Sequence, residues 1–292
     1  MRIEKKATIV STSVAAILVV IKMTFGILSG SVAVLASAID SLLDLSVSAF
    51  NYYALHNAEK PADDKFNFGR SKIEPLAAVI EGTIISVSAL FIFYQAISNI
   101  VNTKELSHLD ESAVVMLVSI ILTGFLVLFL NYIAKKTNNM VIKADALHYK
   151  TDLFSNAAVL LAIFLVNYTG EALIDSLLGF TIAVYMIVSA YPIIKEGVLM
   201  LLDAALEEDD VAKIHAILKA DKDITDYHYL LTRKSGSDVF ISVHIVFNVT
   251  ITLFDAHIIT DRIELKIEEL FPDNNLQIMI HMDPYDDSIV EA

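Results

Sequence analysis

Two pairs of ligand-type side chains stand out in this 292-residue chain: Asp40 with Asp44, and His148 with Asp152. Each pair is spaced four residues apart in an apolar, helix-length stretch, so its side chains sit one turn apart on one face. A carboxylate at the centre of a bilayer costs about 2.5–3.5 kcal/mol even on the insertion scale. Like charges side by side cost more, unless a cation comes between them. Three carboxylates and one imidazole on two facing helices form a donor set that suits a tetrahedral divalent metal such as zinc. Ser37, Ser41, Ser155 and Asn156 lie on the same stretches, where they can line a polar path or support the ligands. The blander reading, carboxylates bonded only to hydroxyls or backbone of neighbouring helices, accounts for one intramembrane Asp better than for two pairs in separate segments.

The elements that must position these residues are membrane spans. The chain is 55% hydrophobic and only 19% charged, with a mean hydropathy of +0.61. Such a composition must place much of its apolar surface in lipid. Apolar segments run over about 7–28, 32–56, 73–101, 112–134, 141–167 and 172–202, which predicts six transmembrane helices. The first is too long for the core of a signal peptide and reads as a retained span. Lys22 inside it must snorkel or face the protein interior. Breaks fall at 29–31, in the polar connection 59–72 with Pro61 and Gly69, at 102–111, at 135–139 and at 168–170. Six spans place both termini on one side. Arg2, Lys5, Lys6, Lys60, Lys65, Arg70, Lys72, Lys135, Lys136 and Lys143 gather on that side, against Lys104 alone opposite. The positive-inside rule makes that side cytoplasmic.

From Asp203 onward the composition turns soluble, so the expected organisation is a transport domain over 1–204 and a cytosolic domain over 205–292. In the tail, 209–219 and 253–270 have helical periodicity, while 225–232, 239–247 and 276–282 read as strands. The order α-β-β-α-β predicts a small α+β layer, with 233–238 as the hairpin loop. The tail holds eighteen acidic against seven basic side chains, or −11 of the chain's −14. That sign excludes nucleic acid as a partner and concentrates cations. With no Cys, any metal must be held by oxygen and imidazole. In the tail, His228, His244 and His281 fall on predicted strands and His257 on the helix. His281 and Asp283, two apart, share one sheet face. From spacing alone these are either a metal cluster or ordinary surface histidines. An intramembrane metalloenzyme is disfavoured, because no His-Glu-x-x-His occurs and no carboxylate is left over as general base. A passive channel and a membrane metal sensor with the tail as output remain competing readings.

The Asp40/Asp44 and His148/Asp152 pairs, with Pro61-Ala-Asp-Asp64, Phe68-Gly-Arg-Ser-Lys-Ile-Glu74 and Ala146-Leu-His-Tyr-Lys-Thr-Asp152 around them, resemble the transport site of the cation diffusion facilitator family. The likeness covers nearly the whole chain and is nearest the bacterial zinc and ferrous-iron efflux type. It implies a homodimeric, proton-coupled antiporter of the plasma (bacterial inner) membrane, without enzymatic activity or an organic cofactor. Its cytosolic domain would be of the ferredoxin-like, metallochaperone type. A His in the quartet accompanies zinc or cadmium in this family, whereas all-Asp sets accompany manganese. The resemblance also implies a dimer-interface zinc cluster at His228, His244, His257 and His281, bridged by Asp283, with either a regulatory or a structural role. A third family site, in the 59–72 loop, keeps only Asp63, because Phe66 cannot ligate and Arg70 repels a cation. The loop is therefore expected to hold no metal. Lys72 and Asp203 match a charge interlock between protomers, although chemistry alone favours two solvated helix ends.

Overall fold

The computed structural model describes residues 2–29, 32–101, 112–169, 171 and 173–286. The chain divides into two compact units, Met1–Val198 and Leu199–Ala292. The first begins with α1 (Ile3–Ser29), α2 (Val32–Ala58) and α3 (Ile73–Val101), followed by α4 (Ser112–Thr137), α5 (Met140–Thr169) and α6 (Leu173–Leu201). The predicted loop at 102–111, with Lys104, and parts of the predicted breaks at 29–31 and 168–170 lie outside the described residues. Among the described residues, α1, α3, α4, α5 and α6 are long and apolar enough to cross a membrane. The helix of equal length not in that set is α2, which carries Asp40 and Asp44.

The polarity of this unit is inverted relative to a water-soluble bundle. On α1, Ile9, Val10, Ile17, Val20, Ile27 and Leu28 point outward, while Thr8, Ser11 and Lys22 are buried. On α2, Ser41, Ser48 and Asn51 are buried. With Asp44 between them they form a polar stripe at helical spacing, facing protein instead of lipid. Lys22 resolves inward. Its ammonium donates to the Ser41 hydroxyl at 2.8 Å, and it faces the carboxylates of Asp40, Asp44 and Asp152.

A core of Ala54, Leu55, Leu126, Leu130, Val141, Ile142 and Tyr149 joins α2, α4 and α5. The α4–α5 connection is the short turn Asn138-Asn139, with Asn138 in the left-handed region at φ 52. Asn139 caps α5, its side-chain oxygen accepting from the amides of Val141 at 3.0 Å and Ile142 at 3.2 Å. This cap sets where α5 begins, and so where Asp145, His148 and Asp152 fall along it. Helix α6 packs on α3 through Ile85, Ala89, Met186 and Ala190. Close approach there depends on Gly197: a Cβ would lie 2.6 Å from a Val79 methyl.

The second unit contains α7 (Glu208–Ala220), β1 (Asp226–Ser235), β2 (Asp238–Val246), α8 (Leu253–Glu268) and β3 (Asn275–Asp283). The sheet order is β1-β2-β3, with β1/β2 antiparallel and β2/β3 parallel across the α8 crossover. Val239, Ile241, Val243 and Ile245 alternate toward a core shared with Ile214 and Leu218 of α7 and Ile263 and Ile267 of α8. The strands run further than their hydrophobic pattern suggests. Arg233, Lys234 and Ser235 belong to β1, and the hairpin is only Gly236-Ser237, with Gly236 at φ 57. A two-residue turn with Gly236 at positive φ matches the right-handed twist of the strands. Asp203 ends α6 in the left-handed conformation at φ 57. The Ala204 amide returns to the Leu199 carbonyl at 3.0 Å, a Schellman closure.

An ion cluster around the buried Asp221 ties this unit together. Arg262 donates to Asp221 at 2.7 Å and to Asp223 at 2.7 Å, and Lys266 reaches Asp221 at 3.2 Å. Burial works against the Asp221 carboxylate. The Asp223 amide and the Lys266 and Arg262 cations outweigh it and hold its pKa below the usual range. A depressed folded-state pKa adds stability that is fully present above the unfolded value, about 3.9, and is lost as pH falls through the folded one. Asp221→Asn should therefore cost about 1 kcal/mol at neutral pH, screened by the water around both cations. Amide exchange of α8 in the full-length protein measures it. The deficit against wild type should shrink only in strongly acidic solution.

Candidate metal centres

The membrane unit brings Asp44, His148 and Asp152 together, with one ligand atom from each within 4.8 Å of the others. His148 Nε2 lies 3.3 Å from Asp44 Oδ1 and 3.5 Å from Asp152 Oδ2. One imidazole nitrogen is thus aimed between two carboxylates on different helices, α2 and α5. The ring is held by an edge contact with Tyr149, whose hydroxyl bonds Ser48 of α2 at 2.7 Å. Asp152 Oδ2 is buried without a hydrogen-bond partner. An acceptor pointed at an imidazole nitrogen and otherwise unpartnered is arranged for a proton or a cation. Asp40 sits one turn from Asp44 on the same helix but is exposed and outside the three-residue group.

Sequence reasoning passed over a second polar cluster on the same helices. Asn51 Nδ2 donates to Glu81 Oε2 at 3.0 Å and to Asp145 Oδ1 at 3.3 Å. All three side chains are buried. The two carboxylate oxygens are therefore at most about 6 Å apart, and ionising both would cost about 3 kcal/mol in mutual repulsion at an effective dielectric of about 20. The available signal was simple: Glu81 and Asp145 are also carboxylates inside predicted spans. No i, i+4 spacing pairs them, because they lie on different helices. Asp175 lines a cavity of about 240 Å³ with Gln95, Asn99, Ser155 and Ser176, between α3, α5 and α6.

In the 59–72 connection the Asp63 carboxylate is engaged by the chain itself. Its Oδ1 accepts from the amides of Phe66 at 2.9 Å and Lys65 at 3.0 Å, and Arg70 pairs with Oδ2. The Arg70 guanidinium also lies 4.4 Å from the Phe66 ring centre. The Phe66 amide first, then the Lys65 amide and Arg70, hold the Asp63 pKa below the usual range.

In the tail, His228, His244 and His281 are register partners on adjacent strands, side by side across the sheet. Asp283 closes the row. Its carboxylate lies 3.5 Å from His228, 3.0 Å from His244 and 3.0 Å from His281, and its side chain is only 5% exposed. A β-bulge after His228 sets the face, with Tyr229 at φ 48 absorbing the extra residue. His228, His244 and Asp283 form a group of metal-ligand geometry. His257 stands apart on α8, exposed and 3.7 Å from Asp261. Asp203 is paired with Arg233 at 3.0 Å, while Lys72 precedes α3.

Comparison with known proteins shows the family. A family model for the cation efflux transmembrane domain matches residues 8–202, and one for the cation efflux protein cytoplasmic domain matches residues 206–285. The cation-efflux pump FieF of Escherichia fergusonii is 34% identical over 283 residues, 97% of this chain and 93% of its own. FieF of Klebsiella pneumoniae is 35% identical over 291 residues, 100% of this chain and 95% of its own. Two solved structures of a candidate zinc transporter, CzrB, also match. The zinc form is 29% identical over 27% of this chain and 90% of that one, with TM-score 0.26. The other is 25% identical over 27% and 98%, with TM-score 0.24. The chain belongs to the cation efflux, or cation diffusion facilitator, family of membrane transporters, which is not an enzyme family.

Proposed function

We propose that this protein is a proton-coupled antiporter that exports divalent metal from the cytoplasm by alternating access, with zinc foremost and cadmium or ferrous iron as further substrates. The observation that carries the reading is His148 Nε2 poised between Asp44 and Asp152 on two helices. Nitrogen and carboxylate oxygen together favour zinc over magnesium, which prefers six oxygens and keeps its waters. Asp40 completes the quartet when α2 moves against α5. Metal entering from the cytoplasm displaces protons, because its ligands must be deprotonated. Outside, protonation of His148 and the carboxylates releases the metal, and the protonated carrier returns. Lys22 supports this cycle by offsetting part of the quartet's negative charge in either state. The exchange of a divalent cation for protons then leaves little net charge in low dielectric.

Both termini and the tail are cytoplasmic in this reading, α2 is the sixth span, and the domains divide near residue 204. The working unit is a homodimer. His228, His244, His257, His281 and Asp283 bind zinc at the tail, and Lys72 and Asp203 act between protomers. The loop around Asp63 takes no metal, because Arg70 already neutralises it.

The test is zinc uptake into proteoliposomes under an imposed pH gradient, wild type beside His148→Ala. Flux should follow the gradient and fall to background in the variant. Conductive, gradient-independent flux would point to a channel. No flux with zinc still bound at the tail would favour a membrane metal sensor.

A further inference from the structure

The Asn51–Glu81–Asp145 cluster is the strongest feature that the metal site does not use. Three helices, α2, α3 and α5, deliver it to a point sealed from solvent. Asn51 Oδ1, Glu81 Oε1 and Asp145 Oδ2 are all buried without a hydrogen-bond partner, and among the described residues neither carboxylate has an ion pair. The titratable groups facing it are His148, Tyr149 and Asp152 of α5. From α1 it meets the buried Ser11, which faces Asp145, and α2 adds Asp44 near Tyr149. Of these, only His148 can bring positive charge to the two carboxylates, and it does so only while protonated.

Two buried carboxylates sharing one amide are costly to ionise together unless positive charge or a proton neutralises them. A metal ion is a poor candidate, since the amide hydrogens of Asn51 occupy the space between the carboxylates where it would sit. A proton fits. With Asn51 turned over, its oxygen would accept from protonated carboxyl groups, so either orientation of the amide is served by protons.

We propose that Asn51, Glu81 and Asp145 form a proton-binding site separate from the metal quartet, through which the coupled proton passes on the cytoplasmic side. Asp145 lies one helical turn from His148 toward the start of α5, the end flanked by Lys135, Lys136 and Lys143. A proton leaving the quartet for the cytoplasm meets this pair next. The carboxyl group that receives it gains an O–H bond as His148 or a quartet carboxyl group gives one up, so charge is conserved within the protein. The assignment rests on the antiport reading above.

The test pairs infrared spectroscopy with flux, using the full-length protein and its Glu81→Gln and Asp145→Asn variants. At neutral pH the metal-free wild type should show the carbonyl stretch of a protonated carboxylic acid, shifted in heavy water and lost or altered in each variant. Glu81→Gln should bind zinc as wild type does, yet its gradient-driven flux should fall about a hundredfold, the low end for a positioned proton-transfer group. Wild-type gradient-driven flux in Glu81→Gln, or an acid band absent from wild type or unchanged in both variants, would overturn the proposal. If one variant fails to fold, the other and the wild-type band still decide it. Lack of gradient-driven flux in wild type would defeat the antiport reading instead, leaving the band to show whether the cluster holds a proton.

Discussion

Asp44→Ala should abolish metal transport while leaving the protein folded and its tail able to bind zinc. Asp44 is the carboxylate that α2 contributes to the candidate metal-binding group formed with His148 and Asp152 of α5. Losing it removes both a metal bond and the link between the two helices. Even an outer-shell partner of a metal ligand is worth about 10–100-fold in affinity, so loss of Asp44 should cost about a hundredfold or more. Flux at low zinc should fall by at least that factor. The fold should survive, because Asp44 is partly exposed and the α2–α5 packing is carried by Leu55, Ala146 and Tyr149. Proteoliposome flux together with size-exclusion behaviour measures both halves. Retained gradient-driven zinc flux in a monodisperse variant would show that the transport site lies elsewhere.

A comparably large effect is expected at the tail from Asp283→Ala. One carboxylate serves three imidazoles, at 3.5, 3.0 and 3.0 Å. Removing it leaves three neutral donors with no charge to balance a divalent cation. Even outer-shell partners of a metal ligand are worth about 10–100-fold in affinity, so loss of the carboxylate shared by the proposed ligands should cost about a hundredfold or more. Zinc titration of the full-length protein should show the tail sites vanish while the membrane site persists. If zinc tightens the cytosolic dimer, energy transfer between labels on the two tails should lose its zinc dependence in the variant. An unchanged zinc response would mean that His228, His244 and His281 do not act through Asp283.

Much of this protein is legible in its sequence because lipid imposes strict rules. Apolar runs of span length mark membrane helices, and the asymmetric placement of Lys and Arg predicts an orientation, without reference to packing. The i, i+4 spacing of Asp40/Asp44 and His148/Asp152 carries the candidate quartet, since a helix converts spacing directly into a shared face. The period-2 pattern of β2 likewise identifies a strand with one buried face. Local rules stop where partners come from different elements. Only the tertiary structure unites Asn51, Glu81 and Asp145, because their proximity depends on how three helices pack and not on any local spacing. The same is true of Lys22 turning inward to Ser41, and of His228, His244 and His281 forming a row, which required both strand registers and the bulge at Tyr229. His257 is set apart from that row for the same reason: α8 exposes it beside Asp261, whatever its position along the chain. Sequence determined which residues could not be wasted in lipid, and packing decided which of them meet.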